Sequence, residues 1–237
     1  MDVQLSLNKD MAVNVQRFGN EQLPVLVIDN FLAEPELLVE HACRQSFKHN
    51  SQFYPGIRAV APKSFQRLLL GSLGRTFKQV FELRGNQLGL SICHYSIVTT
   101  PADQLQLLQR IPHFDSIEQD QLAAVYYLFK QDLGGTSFYR HRKTGFEYVD
   151  EKRQTDYYQS LESENGTTNI PQSGYINGDS ALFTRIGEEQ GMFNRLIVYR
   201  RQCLHSGSIS SDFVPNPDPR QGRLTISAFI DCIDTGS

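Results

Sequence analysis

The chain has 237 residues, 40% of them hydrophobic and 21% charged, with a formal net charge of −3. That length suits one large domain or at most two small ones, and the composition excludes a disordered, collagenous or disulfide-framework chain. The mild negative charge argues against a protein built to bind bulk nucleic acid or a membrane surface. Cys43, Cys93, Cys203 and Cys232 are scattered with no Cys-x-x-Cys pair, so neither a zinc cluster nor a redox pair is signalled. Residues 1–11 lack the apolar centre of a signal peptide, and no apolar run reaches the roughly 20 residues of a membrane span. A cytoplasmic location is the default expectation.

In chain order, Leu23 to Asn30 is a β-branched apolar run ending in turn residues, the pattern of a buried strand. A helix follows, with Pro35 in its first turn and Leu37, Leu38 and Ala42 on its inner face. Tyr54 to Arg58 reads as a turn between helices. The spacing of Phe65, Leu68, Leu69, Phe77, Val80 and Phe81 predicts a second helix from Pro62 to about Leu83, weakened by Gly71 and Gly74.

From about residue 88 the pattern turns to strands: Leu90–Val98, Ala123–Phe129 before a Gly134-Gly135 turn, Arg195–Tyr199, and Arg223–Ile230. Lys143 to Asn177 is hydrophilic and reads as a surface excursion, with a short helix near Asp156–Leu161. Asp179 or Ser180 is placed to cap a helix through Leu182, Phe183 and Ile186. The expected architecture is a mostly β (α+β) sandwich or barrel covered by N-terminal helices.

Three groups of residues carry chemistry. In an extended segment, His113 and Asp115 project from one face while Phe114 points into packing. His205 follows the strand near Leu196. Two imidazoles and a carboxylate on one side of a metal suit a non-haem iron centre, although the triplet alone reads equally as a surface turn and His205 as a core histidine. On the last strand Arg223, Thr225 and Ser227 share one face, which is either an exposed edge or the wall of a polar cavity. In a cavity, the guanidinium can clamp a carboxylate.

The order of these parts resembles the Fe(II)- and 2-oxoglutarate-dependent dioxygenases, particularly their prolyl-hydroxylase-like branch. It runs from His113-x-Asp115 through Tyr126-Tyr127-Leu128, Gly134-Gly135 and His205 to Arg223-x-Thr225. The resemblance covers residues 88 to 232, and the entry segment Val25 to Leu32 is similar too. It implies a double-stranded β-helix (jelly-roll, cupin-like) core over 88–237 with a polar insertion at 143–177. Residues 1–87 would form an N-terminal strand and helical buttress, all within one oxygenase domain. It also implies that His113, Asp115 and His205 hold catalytic iron, and that Arg223 binds the far carboxylate of 2-oxoglutarate. Thr225, Tyr127 and Tyr95 would line that pocket. The implied reaction takes Fe(II), 2-oxoglutarate and O₂, releases succinate, and hydroxylates a small-molecule or peptide substrate, with peptidyl or free amino acids the nearest class. No nucleic-acid or membrane partner is expected.

Two other readings fit the residues: a cupin-type metal barrel without 2-oxoglutarate, and a non-catalytic interaction module on the same barrel. Arg140 to Lys143, with His141 inside, reads as a solvated basic turn, and Arg200-Arg201 as flanking the cavity mouth. Arg220 is excluded as an anchor because it follows the proline-rich loop from Pro215 to Pro219. Arg58 lies within reach of the substrate side, and the 143–177 insertion has the length of an active-site lid.

Overall fold

A computed structural model describes residues 3–235. The N-terminal hairpin pairs β1 (Ala12–Phe18) with β2 (Leu23–Asp29), whose Val25, Leu26, Val27 and Ile28 are all buried. Helix α1 (Glu36–Ala42), strand β3 (Gly56–Val60) and helix α2 (Lys63–Val80) follow. The remaining strands are β4 (Gln87–Val98), β5 (Gln121–Tyr127), β6 (Gly135–His141), β7 (Phe183–Glu189), β8 (Leu196–Arg200), β9 (His205–Ser208) and β10 (Leu224–Ile233). Helix α3 (Gln154–Glu164) lies in the polar insertion. No helix among the described residues is long and apolar enough to cross a membrane.

The strands form a seven-stranded antiparallel sheet, β1-β2-β8-β5-β10-β4-β3, and a three-stranded one, β7-β6-β9. This is the expected mostly β architecture with a double-stranded β-helix core. Register decides which side chains meet. Tyr126, Ile226 and Tyr95 stand opposite one another across β5, β10 and β4, on the face covered by Phe65, Leu69, Leu73 and Phe77 of α2. Tyr127, Thr225 and Ser96 stand opposite one another on the other face. There Val25, Val27, Ala123, Ile197 and Tyr199 pack against Phe138 of the small sheet. Side-chain alternation thus gives the large sheet one helix-covered face and one interior face.

Several expectations change. The helix through Leu182, Phe183 and Ile186 is instead strand β7, paired with β6 from His141↔Phe183 to Thr136↔Glu189. Asp179 and Ser180 make turns: Asp179 accepts from the Arg185 amide at 2.8 Å and Ser180 Oγ from the Phe183 amide at 3.1 Å. Such side chains serve turns and helix caps by the same bond. Leu37 is 38% exposed, because Leu38 and Ala42 set the buried side of the short α1. The turn expected at residues 54–58 runs straight into β3, where a Cβ on Gly56 would strike the Ile97 carbonyl. Residues 1–87 do more than buttress, since they supply three of the seven large-sheet strands.

The hairpin turn is fastened by a carboxylate from the insertion. Glu147 is 0% exposed, and it accepts from the amides of Asn20 and Glu21 at 2.9 Å each and from Arg140 Nε at 2.8 Å. Gly19, at φ +71°, sits so close that any Cβ there would collide with this carboxylate. Removing it leaves two amides and a guanidinium without their acceptor. Glu147→Ala is therefore expected to cost about 3 kcal/mol of unfolding free energy in a denaturant titration. Glu147→Gln, which keeps acceptor oxygen, should recover part of that loss.

Candidate metal centre

His113 and His205 form an isolated antiparallel bridge, each amide donating to the other's carbonyl at 2.9 Å. Directly opposed residues of such a pair point to the same side, and their ring centroids are 4.4 Å apart. Asp115, two residues on, projects to that side as well, and its amide donates to the Arg201 carbonyl at 2.8 Å. His205 Nε2 lies 3.5 Å from Asp115 Oδ2, and His113 Nε2 lies 3.8 Å from Oδ1. The three ligand atoms all fall within 4.8 Å of one another, a spacing that one cation with bonds of about 2.1 Å can span after small rotations.

The neighbours set the ring orientations. His205 Nδ1 is 2.9 Å from the Cys203 carbonyl, so a proton there leaves the Nε2 lone pair facing Asp115. Tyr199 packs edge-on to the same ring at 4.7 Å. Burial of its inner side, and then the nearby His205, push the His113 imidazole below its usual range, although half of the side chain is exposed. A neutral ring is the form that binds metal. Phe114 points away and packs edge-to-face on Tyr157 of α3 at 5.8 Å. Two imidazoles and one carboxylate on one side suit first-row divalent metals. Cys203 is not part of the set, since burial pushes its thiol up to about 12.

A cluster of buried polar side chains adjoins the centre. Arg223, 6% exposed and just ahead of β10, donates Nε to the Leu133 carbonyl at 2.9 Å and Nη2 to the Gly135 carbonyl at 2.6 Å. Among the described residues no carboxylate pairs with it. A Cβ on Gly207 would lie 3.8 Å from Nη2, so this guanidinium sits two residues along β9 from His205. Tyr127 Oη is 2.8 Å from Thr136 Oγ1, and burial raises it to about 12 against the pull of Arg223. Thr225 stands between Tyr127 and Ser96 and donates to the Ser96 carbonyl at 3.4 Å.

Tyr95 does not join this cluster. It faces the helices, 0% exposed, with Oη 3.1 Å from His41 Nδ1. Five other basic side chains are used elsewhere: Arg140 on Glu147, Arg142 on Asp179, Lys143 on Ser163, Arg201 on Asp231, and Arg220 on Glu40 at the surface. His141 is buried beside Tyr157 and Phe183 with Nδ1 on Thr144, away from the triad. Sequence reasoning missed Tyr54, Ser96, Tyr175 and Tyr199. Tyr175 comes from the insertion, donates to the Thr100 carbonyl at 2.7 Å, and lies near enough to Arg223 and Tyr54 to feel their charge. Only the two-residue alternation of β4 could have signalled Ser96, given a known register.

The chain belongs to a family of unknown function, DUF6445, whose model matches residues 9–230. No curated protein matches it in sequence. Among solved structures it is similar to HygX from Streptomyces hygroscopicus with nickel and 2-oxoglutarate bound, at 13% identity and a TM-score of 0.50 over 91% of this chain and 84% of HygX. HygX with hygromycin B also bound gives 12% identity, the same coverage and a TM-score of 0.49. The α-ketoglutarate-dependent epimerase SnoN from nogalamycin biosynthesis gives 12% identity and a TM-score of 0.45, over 85% of this chain and 70% of SnoN. At 13% identity, the likeness to HygX with nickel and 2-oxoglutarate bound establishes the fold alone.

The placement of Tyr95 has a measurable consequence. Tyr95→Phe removes one buried hydrogen bond to His41 and should cost about 1 kcal/mol of stability in chemical denaturation. Divalent-metal affinity should be unchanged by calorimetry.

Proposed function

We propose that the protein is an Fe(II)- and 2-oxoglutarate-dependent oxygenase, organised as one catalytic domain across residues 1–237. One observation carries the reading: the bridge that brings His113, Asp115 and His205 together lies two residues from a buried guanidinium with no carboxylate partner. In this reading His113, Asp115 and His205 hold the iron, and Arg223 takes the far carboxylate of 2-oxoglutarate. HygX, which shares the fold, holds nickel and 2-oxoglutarate.

The bound pair would supply activation of O₂, with decarboxylation of 2-oxoglutarate to succinate and transfer of the second oxygen atom to substrate. The chain's own residues do the rest. The Cys203 carbonyl fixes the tautomer of His205, and Tyr199 fixes its tilt. The Leu133 and Gly135 carbonyls occupy two donors of Arg223 and so aim its remaining edge. Tyr127 and Thr225 place hydroxyl groups beside that edge, and Phe129 closes its other side with its ring centroid 5.6 Å from Arg223 Cζ. Tyr175 of the insertion is held by the Thr100 carbonyl within reach of the Arg223 charge.

Hydroxylation of a small molecule or peptide is the proposed outcome. Tyr127 agrees with the prolyl-hydroxylase-like branch, whereas Tyr95 gives it no support. The substrate class implied by that resemblance is a peptidyl or free amino acid.

Anaerobic addition of Fe(II) and 2-oxoglutarate should give a weak visible charge-transfer band, and a wild-type protein without it overturns the reading. Asp115→Ala and His205→Ala should each weaken metal binding at least about 100-fold by calorimetry, as expected for loss of a direct ligand. Arg223→Ala should bind Fe(II) normally but need about 100-fold more 2-oxoglutarate to develop the band.

A further inference from the structure

A second cationic group faces the same interior. Arg58 on β3 stands opposite Ser96, which stands opposite Thr225, which stands opposite Tyr127, so the four share one row across β3, β4, β10 and β5. Its guanidinium lies over the Tyr54 ring, with Cζ 4.2 Å from the centroid. The side chain makes no hydrogen bond or ion pair among the described residues, and its Nε is buried without a partner. Tyr54 Oη and Ser96 Oγ are buried beside it, close enough to bond each other, and His94 Nδ1 is buried without a partner among the described residues. His94 is two residues before Ser96 on β4, and therefore on the same face. Arg58 is close enough to Asp115, His113 and His94 for its charge to act on all three.

Arg58 is partly buried, with its Nε enclosed, and a cation partly withdrawn from water is stabilised by an accompanying anion. The proposed site is balanced without Arg58. Iron brings two positive charges and Arg223 one, while Asp115 brings one negative charge and 2-oxoglutarate two, with both imidazoles neutral. Arg58 is then an excess of one positive charge beside the reacting centre. A carboxylate matches that excess and the planar fork of the guanidinium. A phosphate ester, at nearly two negative charges, overshoots it.

We propose that Arg58 is the recognition point for a carboxylate on the primary substrate, with the Tyr54 and Ser96 hydroxyls and the His94 ring completing the subsite. The inference rests on the oxygenase reading for its charge balance and names the substrate class of that same site. The Tyr54 ring, stacked on the guanidinium, fixes the plane of the fork. Its neighbours leave Arg58 free to bond a ligand.

The test uses matched probes with the full chain loaded with Ni(II) and 2-oxoglutarate: phenylacetate against phenylacetamide, benzoate against benzamide, and hexanoate against hexanamide. At least one acid should raise the melting temperature of the wild type by about 2 °C more than its amide. Arg58→Gln should lose that difference, and Arg58→Lys should keep a smaller one, because charge remains and the fork is gone. Acids and amides that act alike, or an Arg58→Gln variant that responds as the wild type does, overturn the proposal. So does loss of the anaerobic Fe(II)–2-oxoglutarate band in Arg58→Gln, which would make Arg58 an anchor for 2-oxoglutarate instead. Failure of the oxygenase reading registers separately, as a wild-type protein without the band, and the acid–amide comparison remains readable in that case.

Discussion

Two backbone hydrogen bonds, one in each direction between His113 and His205, are the constraint on which the candidate centre depends. They join segments far apart in the chain and fix them as a directly opposed pair, so the two imidazoles must lie on one side. Asp115 follows by alternation and needs no further device. The bridge continues outward from β9, which pairs with β6 at Phe138↔His205, and on its inner side Tyr199 of the large sheet packs against the His205 ring. The centre therefore sits at the seam of the two sheets, positioned by rigid elements on both sides. His113 and Asp115 lie in the irregular connection between β4 and β5, held there by the bridge to His205 and by Phe114 packing on α3.

The interior behind this seam is not a good hydrophobic core. Among the described residues Arg223 has two carbonyls and the Phe129 ring but no carboxylate, Arg58 has only the Tyr54 ring, and His94 Nδ1 is unbonded. A chain selected for stability alone would place apolar side chains in this row, since buried ionic groups rarely gain more than they lose on desolvation. The opposite face of the same strands shows that alternative. Tyr95, Ile226 and Tyr126 lie there among phenylalanines and leucines, and their hydroxyls are bonded: Tyr95 to His41, and Tyr126 to Asn194 at 2.6 Å. One set of strands thus carries a stabilising face and a costly one. A protein tolerates the second where function requires it.

What the sequence made legible follows from this division. The apolar strands β2, β8 and β10 and helix α2 have clear patterns because both their neighbours and their periods are hydrophobic. Strands β1, β6 and β9 do not: Ala12–Phe18 is largely exposed, Gly135–His141 is buried but polar, and His205–Ser208 is four residues long. The segment after Asp179 misleads because an Asp or Ser side chain that bonds a nearby amide looks the same before a turn as before a helix. The triad residues and Arg223 could be read from chain order. Choosing between Tyr95 and Tyr127 required the register, since a shift of one residue exchanges the two faces. Ser96, the neighbour of Tyr95, is the residue that faces inward.

The insertion shows the same limit from the other side. Its composition marks it as a surface excursion, yet its ends are among the most firmly held parts of the molecule. Glu147 is buried under the β1–β2 turn, and Val149, Tyr157 and Ile176 pack with Tyr139, Phe183 and Leu204 in a third apolar cluster. Those contacts place Phe114 from behind, and the same segment carries Tyr175 within reach of the Arg223 charge. The insertion thus takes part in the packing behind the metal centre. Sparse apolar anchors hold this polar segment, and periodicity cannot reveal them because each acts through a single residue.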